Sequence, residues 1–220
     1  MVEMGASRML RSMSGRPRSV SDETIFGVVS EVIARAGPRG LTLAAIGEQA
    51  GLSAPAVAQR FGTKRGLLLA YAARGQEVVA AAFDTAARSN RSPLRALRVA
   101  LETLARPIQT RESLANNLAF LQLDLVDADL RAHAVDQSRE FRRRIEHLLD
   151  QARRSGELTN NTDIRSLATS VYITYNGALI TWAIDGKGAL RQWLRQSLDA
   201  TLAPHATPSI QPADRSSPTA

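Results

Sequence analysis

Cysteine is absent from this 220-residue sequence, which excludes disulfide bonds, thiolate nucleophiles and cysteine-ligated zinc sites. The absence is compatible with the reducing environment of the cytoplasm. No uninterrupted apolar run reaches the roughly eighteen residues that a membrane-spanning helix needs, and the N-terminal stretch has no apolar segment before a small-residue cleavage site. We therefore expect a cytoplasmic protein with no membrane partner and no secretory signal.

Acidic residues are outnumbered by basic ones, 21 against 28, so the formal net charge is +7 and the sequence pI is about 10.8. Such an excess favours an anionic partner. Residues 1–20 hold four arginines and one glutamate and predict a disordered basic arm. Within it, Gly15-Arg-Pro-Arg18 indicates either a minor-groove contact or non-specific charge only. Four prolines among serine, threonine and alanine predict a disordered tail over residues 204–220.

No segment alternates between polar and apolar residues as a half-buried β-strand does, whereas apolar residues recur at helical spacing between the two tails. In the first helix, for example, Ile25, Val29, Val32 and Ile33 lie on one continuous stripe. We therefore predict an all-α fold. Besides two short helices near residue 50, the predicted helices cover residues 22–36, 64–82, 93–106, 112–126, 128–155, 162–185 and 189–202.

The two short helices lie between Thr42 and Phe61 and meet at Gly51. Thr42 is placed to cap the first helix, Gly51 can adopt the left-handed conformation that ends it, and Ser53 or Ala54 begins the second. Helices this short are marginal in isolation, so they must pack against each other and against the first helix. The arrangement predicts a helix-turn-helix, a motif that places its second helix in the DNA major groove.

The outward face of the second short helix carries small residues and two side chains that can hydrogen-bond to base edges or phosphates. The flanking helices begin with free backbone N–H groups, which favour phosphate oxygens. The alternative is a helical scaffold over residues 41–70 with a solvated face. The residues predicted to contact DNA are Thr42, Ser53, Ala54, Pro55, Ala56, Gln59, Arg60, Thr63 and Lys64.

A set of short motifs extends over residues 22–79. It consists of Ala34 with Gly37 and Gly40, then Leu43-Ala-Ala-Ile46, Gln49-Ala-Gly-Leu-Ser53 and Phe61-Gly-Thr-Lys64, leading into Leu67-Leu-Leu-Ala70. With these motifs the stretch resembles the DNA-binding domain of the tetracycline-repressor (TetR) family of bacterial regulators. The resemblance implies a helix-turn-helix domain over residues 21–82, followed by a helical domain over residues 83–203 that binds a ligand and dimerises.

Three positions depart from the family pattern. Ala58 stands where an aromatic residue is common, Pro55 replaces a common glycine, and Gly47 stands where alanine is usual. A glycine inside a helix costs about 1 kcal/mol of helix propensity. These departures concern individual DNA contacts and the stability of one helix rather than the fold.

The helix predicted over residues 162–185 has two apolar stripes, as expected for a helix that is buried on two sides. A short glycine-containing turn joins it to the next helix, which has one stripe. Two such hairpins related by a two-fold axis would form a four-helix bundle, and the resemblance likewise implies dimerisation through the last two helices. The alternative is burial within one subunit. The predicted homodimer interface consists of Ile180, Ile184, Leu190, Trp193, Leu194 and Leu198.

The other face of this helix is predicted to look into its own domain. Mostly apolar walls with a few hydroxyl and amide groups suit a small, largely hydrophobic ligand. The alternative is a plain hydrophobic core. The predicted pocket residues are Leu101, Leu104, Leu121, Phe141, Tyr172, Tyr175, Asn176 and Trp182, with Leu97, Leu118, Leu125 and Ile145 beside them.

Motifs for catalysis are missing, because the sequence has no nucleophile elbow, phosphate-binding loop or metal-ligand spacing. Asp124, Asp127 and Asp129 indicate either a metal site or helix caps. Caps are favoured because the three residues lie at a predicted helix junction. We therefore expect no enzyme, no cofactor and no metal.

The sequence and the resemblance together predict a homodimeric, ligand-responsive transcriptional repressor. A small, largely hydrophobic effector would release it from a palindromic double-stranded DNA operator on the bacterial nucleoid. Ligand binding would favour a dimer whose recognition helices no longer match successive major grooves, with the helix over 64–82 as the lever. The alternatives are an architectural DNA-binding protein without a ligand and a small all-α enzyme that uses the second-domain cavity.

Overall fold

The computed structural model describes residues 20–185 and 187–207. These residues form ten α-helices and one isolated β-bridge between Leu158 and Ala206. The prediction of an all-α fold is confirmed. The helices are α1 (Asp22–Gly40), α2 (Leu43–Ala50), α3 (Ala54–Phe61), α4 (Lys64–Ala73), α5 (Gly75–Ser89), α6 (Pro93–Leu104), α7 (Arg111–Val126), α8 (Ala128–Arg154), α9 (Ile164–Asp185) and α10 (Leu190–Leu202).

The first four helices pack around one small core, which we call the N-terminal core. The stripe predicted along α1 is the face that receives α2, α3 and α4. Ser21 caps α1 by accepting a hydrogen bond from the amide of Thr24 at 3.2 Å. The buried side chains come from all four helices, with Ile25, Val29 and Ile33 from α1, Ile46 from α2, Val57 from α3 and Leu67 from α4.

Local hydrogen bonds fix the turn between α2 and α3. The hydroxyl of Thr42 accepts from the amide of Ala45 at 3.1 Å, and the hydroxyl of Ser53 accepts from the amide of Ala56 at 3.3 Å. Gly51 ends α2 with a φ of 70°, in the left-handed region. The predicted caps and the predicted conformation of Gly51 are confirmed.

Gly47 has a packing role that its helix propensity does not reveal. A Cβ atom at this position would lie 2.8 Å from the carbonyl oxygen of Leu52 and 3.2 Å from the amide nitrogen of Ala54. Both are backbone atoms, so the turn can approach α2 this closely only because residue 47 has no side chain. The departure from alanine at this position is therefore matched by tighter packing of the helix-turn-helix.

The predicted stop at Gly37-Pro38 is confirmed. Gly37, with a φ of 64°, lies outside the helical region and breaks α1, and residues 38–40 form a short helical continuation beyond the kink. A residue far along the chain supports the kinked segment, because the side-chain amide of Asn116 in α7 donates to the carbonyl of Ala34 at 3.0 Å. Glycine permits the kink, and Pro38 is tolerated because it begins a new helical turn.

The single helix predicted over residues 64–82 is wrong, since α4 and α5 meet at a break at Arg74. The amide of Arg74 donates to the carbonyl of Tyr71 at 3.2 Å, three residues back, which tightens the end of α4. The Arg74 guanidinium forms ion pairs with Glu23 of α1 and Glu77 of α5. The apolar stripe runs through this break, so periodicity alone does not reveal it.

Helices α5 to α10 surround a second, larger core, which we call the C-terminal core. The chain stays ordered beyond α10, because residues 203–205 form a 3₁₀ turn and the amide of Thr159 donates to the carbonyl of His205 at 2.9 Å. The predicted disordered tail therefore begins too early, since residues 204–207 pack beside the loop after α8. The rest of the predicted tail (208–220) and the predicted arm up to residue 19 lie outside the described residues.

The two cores meet where α1 packs along α7 and α4 packs against α8. A bidentate ion pair crosses this junction, with Arg65 of α4 donating to both carboxylate oxygens of Asp127 at 3.0 Å. Arg65 also donates to Asp129 of α8 at 2.7 Å. The N-terminal helices are thus attached to α7 and α8 by packing and by charge-assisted hydrogen bonds.

Candidate nucleic-acid interface and junction cavity

The residues predicted to form the recognition surface lie on α3 and at its start. Ser53, Pro55 and Gln59 are exposed, and Ala54 and Ala56 are half-buried. Small side chains at the start of the helix allow its backbone to approach a base edge closely. The amide of Gln59 can pair with the edge of adenine. Among the described residues, no side chain forms a hydrogen bond with the side-chain amide of Gln59, so this group is available for such a pairing.

The starts of α2 and α4 flank this surface. Thr42 and Thr63 are exposed, and the Thr63 hydroxyl accepts from the amide of Gly66 at 3.1 Å. Each threonine caps one backbone donor of the first turn, which leaves the remaining N–H groups for another acceptor. Phosphate oxygens suit such helix starts because the helix dipole is positive there.

Arg60 and Lys64 make contacts within the chain that the sequence did not indicate. Arg60 donates to the carbonyl of Val20 at 2.6 Å and pairs with Asp22 at 2.5 Å, which ties α3 to the start of α1. The ammonium of Lys64 donates to the carbonyl of Pro38 at 2.6 Å. Both cations stay near the predicted DNA face, but they also hold the helix-turn-helix to α1.

The predicted ligand-pocket residues do not gather around one cavity. Leu101, Phe141, Tyr175 and Trp182 are buried in the C-terminal core, together with Leu97 and Ile145. Leu104 and Tyr172 are half-buried, and Leu121, Leu118, Leu125 and Asn176 are exposed. A plain core, the alternative interpretation, describes the buried members of this set.

Aromatic packing explains why these positions are filled. The ring of Phe141 lies edge-on to Phe83, Tyr172 and Tyr175, with centroid distances of 5.7, 5.4 and 5.3 Å. Burial raises the pKa of the Tyr175 hydroxyl. The exposed amide of Asn176 donates to the carbonyl of Tyr172 in its own helix at 2.9 Å, so it does not reach inward.

A cavity of about 940 Å³ lies instead at the junction between the two cores. We call it the junction cavity. Sequence reasoning missed it because its walls come from three distant segments of the chain. It is lined by Ala36, Gly37, Pro38 and Arg39 of α1, by Lys64, Arg65 and Leu68 of α4, and by Asn116, Ala119, Gln122, Leu123, Val126, Asp127 and Leu130 from α7 to the start of α8.

Arg65 and Asp127, two residues of the cavity wall, form an ion pair, and Arg65 also pairs with Asp129. Hydrogen bonds from the amide of Leu130 and from Arg65 lower the pKa of Asp127. Asp127 also caps α8, as the sequence predicted, by accepting from the amides of Asp129 and Leu130. Among the described residues, no group of histidine, aspartate and glutamate side chains has the arrangement of a metal site.

Asp124 is a buried carboxyl group on α7, and it is not a helix cap. It is 9% exposed, and its Oδ1 atom has no hydrogen-bond partner among the described residues. It lies one turn after Phe120, whose ring meets Tyr71 of α4 at 5.9 Å, so it belongs to the α7 face that packs on the N-terminal helices. Burial raises the pKa of Asp124 from 3.8 to about 6.

Replacing this carboxyl group should make stability less sensitive to pH. The folded state holds the Asp124 proton more tightly than the unfolded state, so the wild type loses stability as pH rises from about 4 through about 6. We expect Asp124→Asn to increase the free energy of unfolding above pH 7 by up to about 3 kcal/mol. Urea unfolding at several pH values measures this difference, which should vanish near pH 4. A difference that is constant with pH would contradict the assignment.

The predicted dimer residues divide into two groups. Leu190, Leu194 and Leu198 are 8%, 0% and 1% exposed within one subunit, and Trp193 is half-buried against the same C-terminal core. Their stripe faces α6 and α9, so the prediction that they form the subunit interface is wrong for the three leucines. Two of them, Leu190 and Leu194, also line a smaller cavity of about 380 Å³ between α6 and α10.

The exposed apolar face belongs to α9 instead. Ile173, Ile180 and Ile184 are 63%, 44% and 75% exposed. Gly177 lies between them, and no other residue comes within 4 Å of the position of its Cβ. Spacings of four, three and four residues place these positions on one helical stripe, which we call the α9 face. Ile180 and Ile184 belong to the interface predicted from the sequence, whereas Ile173 and Gly177 do not.

A helix that crosses a membrane must be both long and apolar. Within residues 20–185 and 187–207, the helices do not combine the length and the apolar character that a bilayer crossing requires.

Comparisons with known proteins cover both parts of the chain. Residues 29–71 match the family described as bacterial regulatory proteins, tetR family, and residues 118–198 match the family described as tetracyclin repressor-like, C-terminal domain. Together these matches span more than half of the sequence. No curated protein sequence gives a significant match.

Solved structures show the same fold. SmeT, the repressor of the Stenotrophomonas maltophilia multidrug efflux pump SmeDEF, is 21% identical with a TM-score of 0.62, over 92% of this chain and 98% of SmeT. A complex of SmeT with triclosan gives the same identity and TM-score over 90% and 98%. The fatty acid degradation regulator FadR from Bacillus halodurans is 17% identical with a TM-score of 0.63, over 83% and 98%.

Proposed function

The chain belongs to the tetR family of bacterial regulatory proteins, and on that premise we propose that it is a dimeric repressor that a small organic effector releases from its operator. The observation that carries this proposal is the outer face of α3, which begins with small, uncharged side chains and is flanked by two helix starts. Such a surface enters a major groove, while the helix starts bind the phosphates on either side.

A palindromic operator has two half-sites, so two copies of α3 are needed to read it. A dimer reads two half-sites when its recognition helices lie about 34–36 Å apart, one turn of the duplex. The α9 face supplies an apolar surface for pairing two subunits about a two-fold axis. The repressor would thus bind a palindrome, with one copy of Gln59 in each half-site. It would do so in the cytoplasm, where bacterial DNA is located.

Effector response requires that the DNA-binding helices be coupled to the rest of the chain. The junction between the two cores provides this coupling, since α4 carries both Lys64 beside the DNA surface and Arg65 in the ion pair with Asp127. A ligand that changes the position of α4 relative to α7 would shift the dimer away from the DNA-binding geometry. The triclosan complex of SmeT supports effector binding as a property of a protein with this fold.

Selection from a random pool of duplexes tests the DNA-binding part of the proposal. We expect an enriched palindrome, and we expect Gln59→Ala to relax selection at one position per half-site, at a cost of about 1–3 kcal/mol. Lys64→Ala should weaken binding to all duplexes and lower the salt dependence by about one phosphate contact.

Arg139→Ala, which changes an exposed arginine of α8, is the control and should bind as the wild type does. Binding without any sequence preference would indicate an architectural DNA-binding protein instead. Binding unaffected by both Gln59→Ala and Lys64→Ala would show that the DNA surface lies elsewhere.

A further inference from the structure

The junction cavity combines apolar walls with an unneutralised cation. We propose that it binds an organic anion with an apolar body, and that this anion is the effector. The inference rests on the proposed function and adds to it the site and the chemical class of the effector. The cavity volume of about 940 Å³ lies within the range of small-molecule sites, which are about 300–1,000 Å³.

The residues of the cavity walls indicate that the body of the ligand is apolar. Pro38, Leu68, Leu123 and Val126 contribute hydrocarbon surface from three helices. Val126 is 76% exposed, so an apolar group seated against this edge of the cavity would remove its side chain from water. A ring system or a short alkyl chain would bury this surface and be stabilised by its removal from water.

The charged groups of the cavity indicate that the head of the ligand is negatively charged. The half-buried ammonium of Lys64 donates to the carbonyl of Pro38, and among the described residues no carboxylate forms an ion pair with it. Asp127, the one acidic residue in the wall, is already engaged by Arg65. Arg39 adds a second cation that has no ion pair among the described residues. The cavity is therefore positive, and a carboxylate would satisfy Lys64 better than the carbonyl does.

The position of Lys64 links this site to DNA release. Lys64 is the first residue of α4, beside the Thr63 cap that faces the proposed phosphate contact. An anion bound to its ammonium would draw the lysine into the cavity and place negative charge next to the phosphate position. The ligand and the operator would then weaken each other's binding by the same factor.

Calorimetry on the DNA-free protein tests the cavity with three matched probes: naphthylacetate, naphthylethanol and naphthylethylamine. We expect naphthylacetate to bind at least about tenfold more tightly than the alcohol, because a charged hydrogen bond adds about 1.5–3 kcal/mol, and the amine to bind most weakly. Ala119→Trp and Val126→Trp, which fill the cavity from two different positions, should each abolish binding while far-UV circular dichroism stays unchanged.

Lys64→Met should reduce the affinity for naphthylacetate about tenfold or more and leave naphthylethanol unchanged. Arg35→Met is the matched control, since Arg35 is an exposed cation of α1 outside the cavity wall, and it should change neither affinity. Saturating operator should weaken naphthylacetate binding by the factor by which naphthylacetate weakens operator binding.

The outcomes separate this inference from the proposed function. Naphthylacetate binding that is absent up to about 1 mM, or that survives both tryptophan substitutions, would overturn the inference even if the protein selects a palindrome. Failure to select any duplex would overturn the proposed function, while cavity binding would remain measurable without DNA. Equal affinities for the anion and the alcohol would overturn the assignment of the charged head.

Discussion

The double variant Ile180→Glu/Ile184→Glu is expected to be a folded monomer that binds operator at least about a hundredfold more weakly than the wild type. The two side chains are 44% and 75% exposed, so their replacement leaves the core of the subunit intact. In a dimer paired through the α9 face, four carboxylates would be buried close together, at a cost of several kcal/mol. Linking two half-site contacts typically strengthens binding by 10²–10⁴, and a monomer loses this gain.

Sedimentation velocity and operator titration measure the two effects. Val135→Glu is the control, because Val135 is an exposed apolar residue of a different helix, α8, with 41% exposure, and its replacement should leave the dimer intact. Leu194→Glu separates the two views of α10. Its side chain is fully buried within the subunit, so we expect a loss of stability of several kcal/mol rather than a folded monomer. An intact dimer of the Ile180→Glu/Ile184→Glu variant would exclude the α9 face as the interface.

Local signals in the sequence were enough to predict the helix-turn-helix. Thr42, Ser53 and Gly51 act through hydrogen bonds to residues three or four positions away, so their roles can be read from the sequence. Helix α1 has a single apolar stripe, and this stripe is its buried face. The stripe therefore determines which side of α1 packs against the other helices. Agreement between caps, turn and periodicity is what makes such a segment predictable.

A helix with two apolar faces is harder to interpret. Both stripes of α9 satisfy the same periodicity, and only the position of α6, α8 and α10 shows that Tyr175 and Trp182 face the core while Ile180 and Ile184 face outward. The single stripe of α10 was assigned to a partner subunit, although it packs within its own. Periodicity finds the buried face of a helix, but it does not identify what covers that face.

The junction cavity and its ion pairs depend on contacts between distant residues. Arg65 and Asp127 are 62 positions apart, and the carbonyl of Pro38 meets Lys64 across 26 positions. Nothing local marks these side chains as partners. The buried carboxyl of Asp124 is equally hidden, because a neighbouring Asp127 is a genuine cap and the two look alike in the sequence. Tertiary packing alone separates them.

Gly66 is the position where one added methyl group should have the largest effect. It lies in the first turn of α4, and a Cβ atom there would be 2.1 Å from the carbonyl oxygen of Phe61 at the end of α3. An ordinary carbon–oxygen contact is longer by about 1 Å, and the obstacle is backbone rather than a side chain that can rotate. Phe61 also packs on Phe26 with ring centroids 5.7 Å apart, which resists its displacement.

We expect Gly66→Ala to lower the free energy of unfolding by about 1–3 kcal/mol and to weaken operator binding at least about tenfold, because α3 must move relative to the Thr63 cap. The dimer should persist, since the α9 face belongs to a helix that does not contribute to the N-terminal core. Gly27→Ala is the matched control: Gly27 lies in α1 with no atom of another residue within 4 Å of its Cβ position. There the same substitution should stabilise the protein by about 0.5–1 kcal/mol, because alanine is the better helix former. Urea unfolding of both variants shows whether each substitution raises or lowers the free energy of unfolding, and operator titration measures the change in DNA affinity. A stabilising Gly66→Ala would show that α3 and α4 are not packed as closely as described.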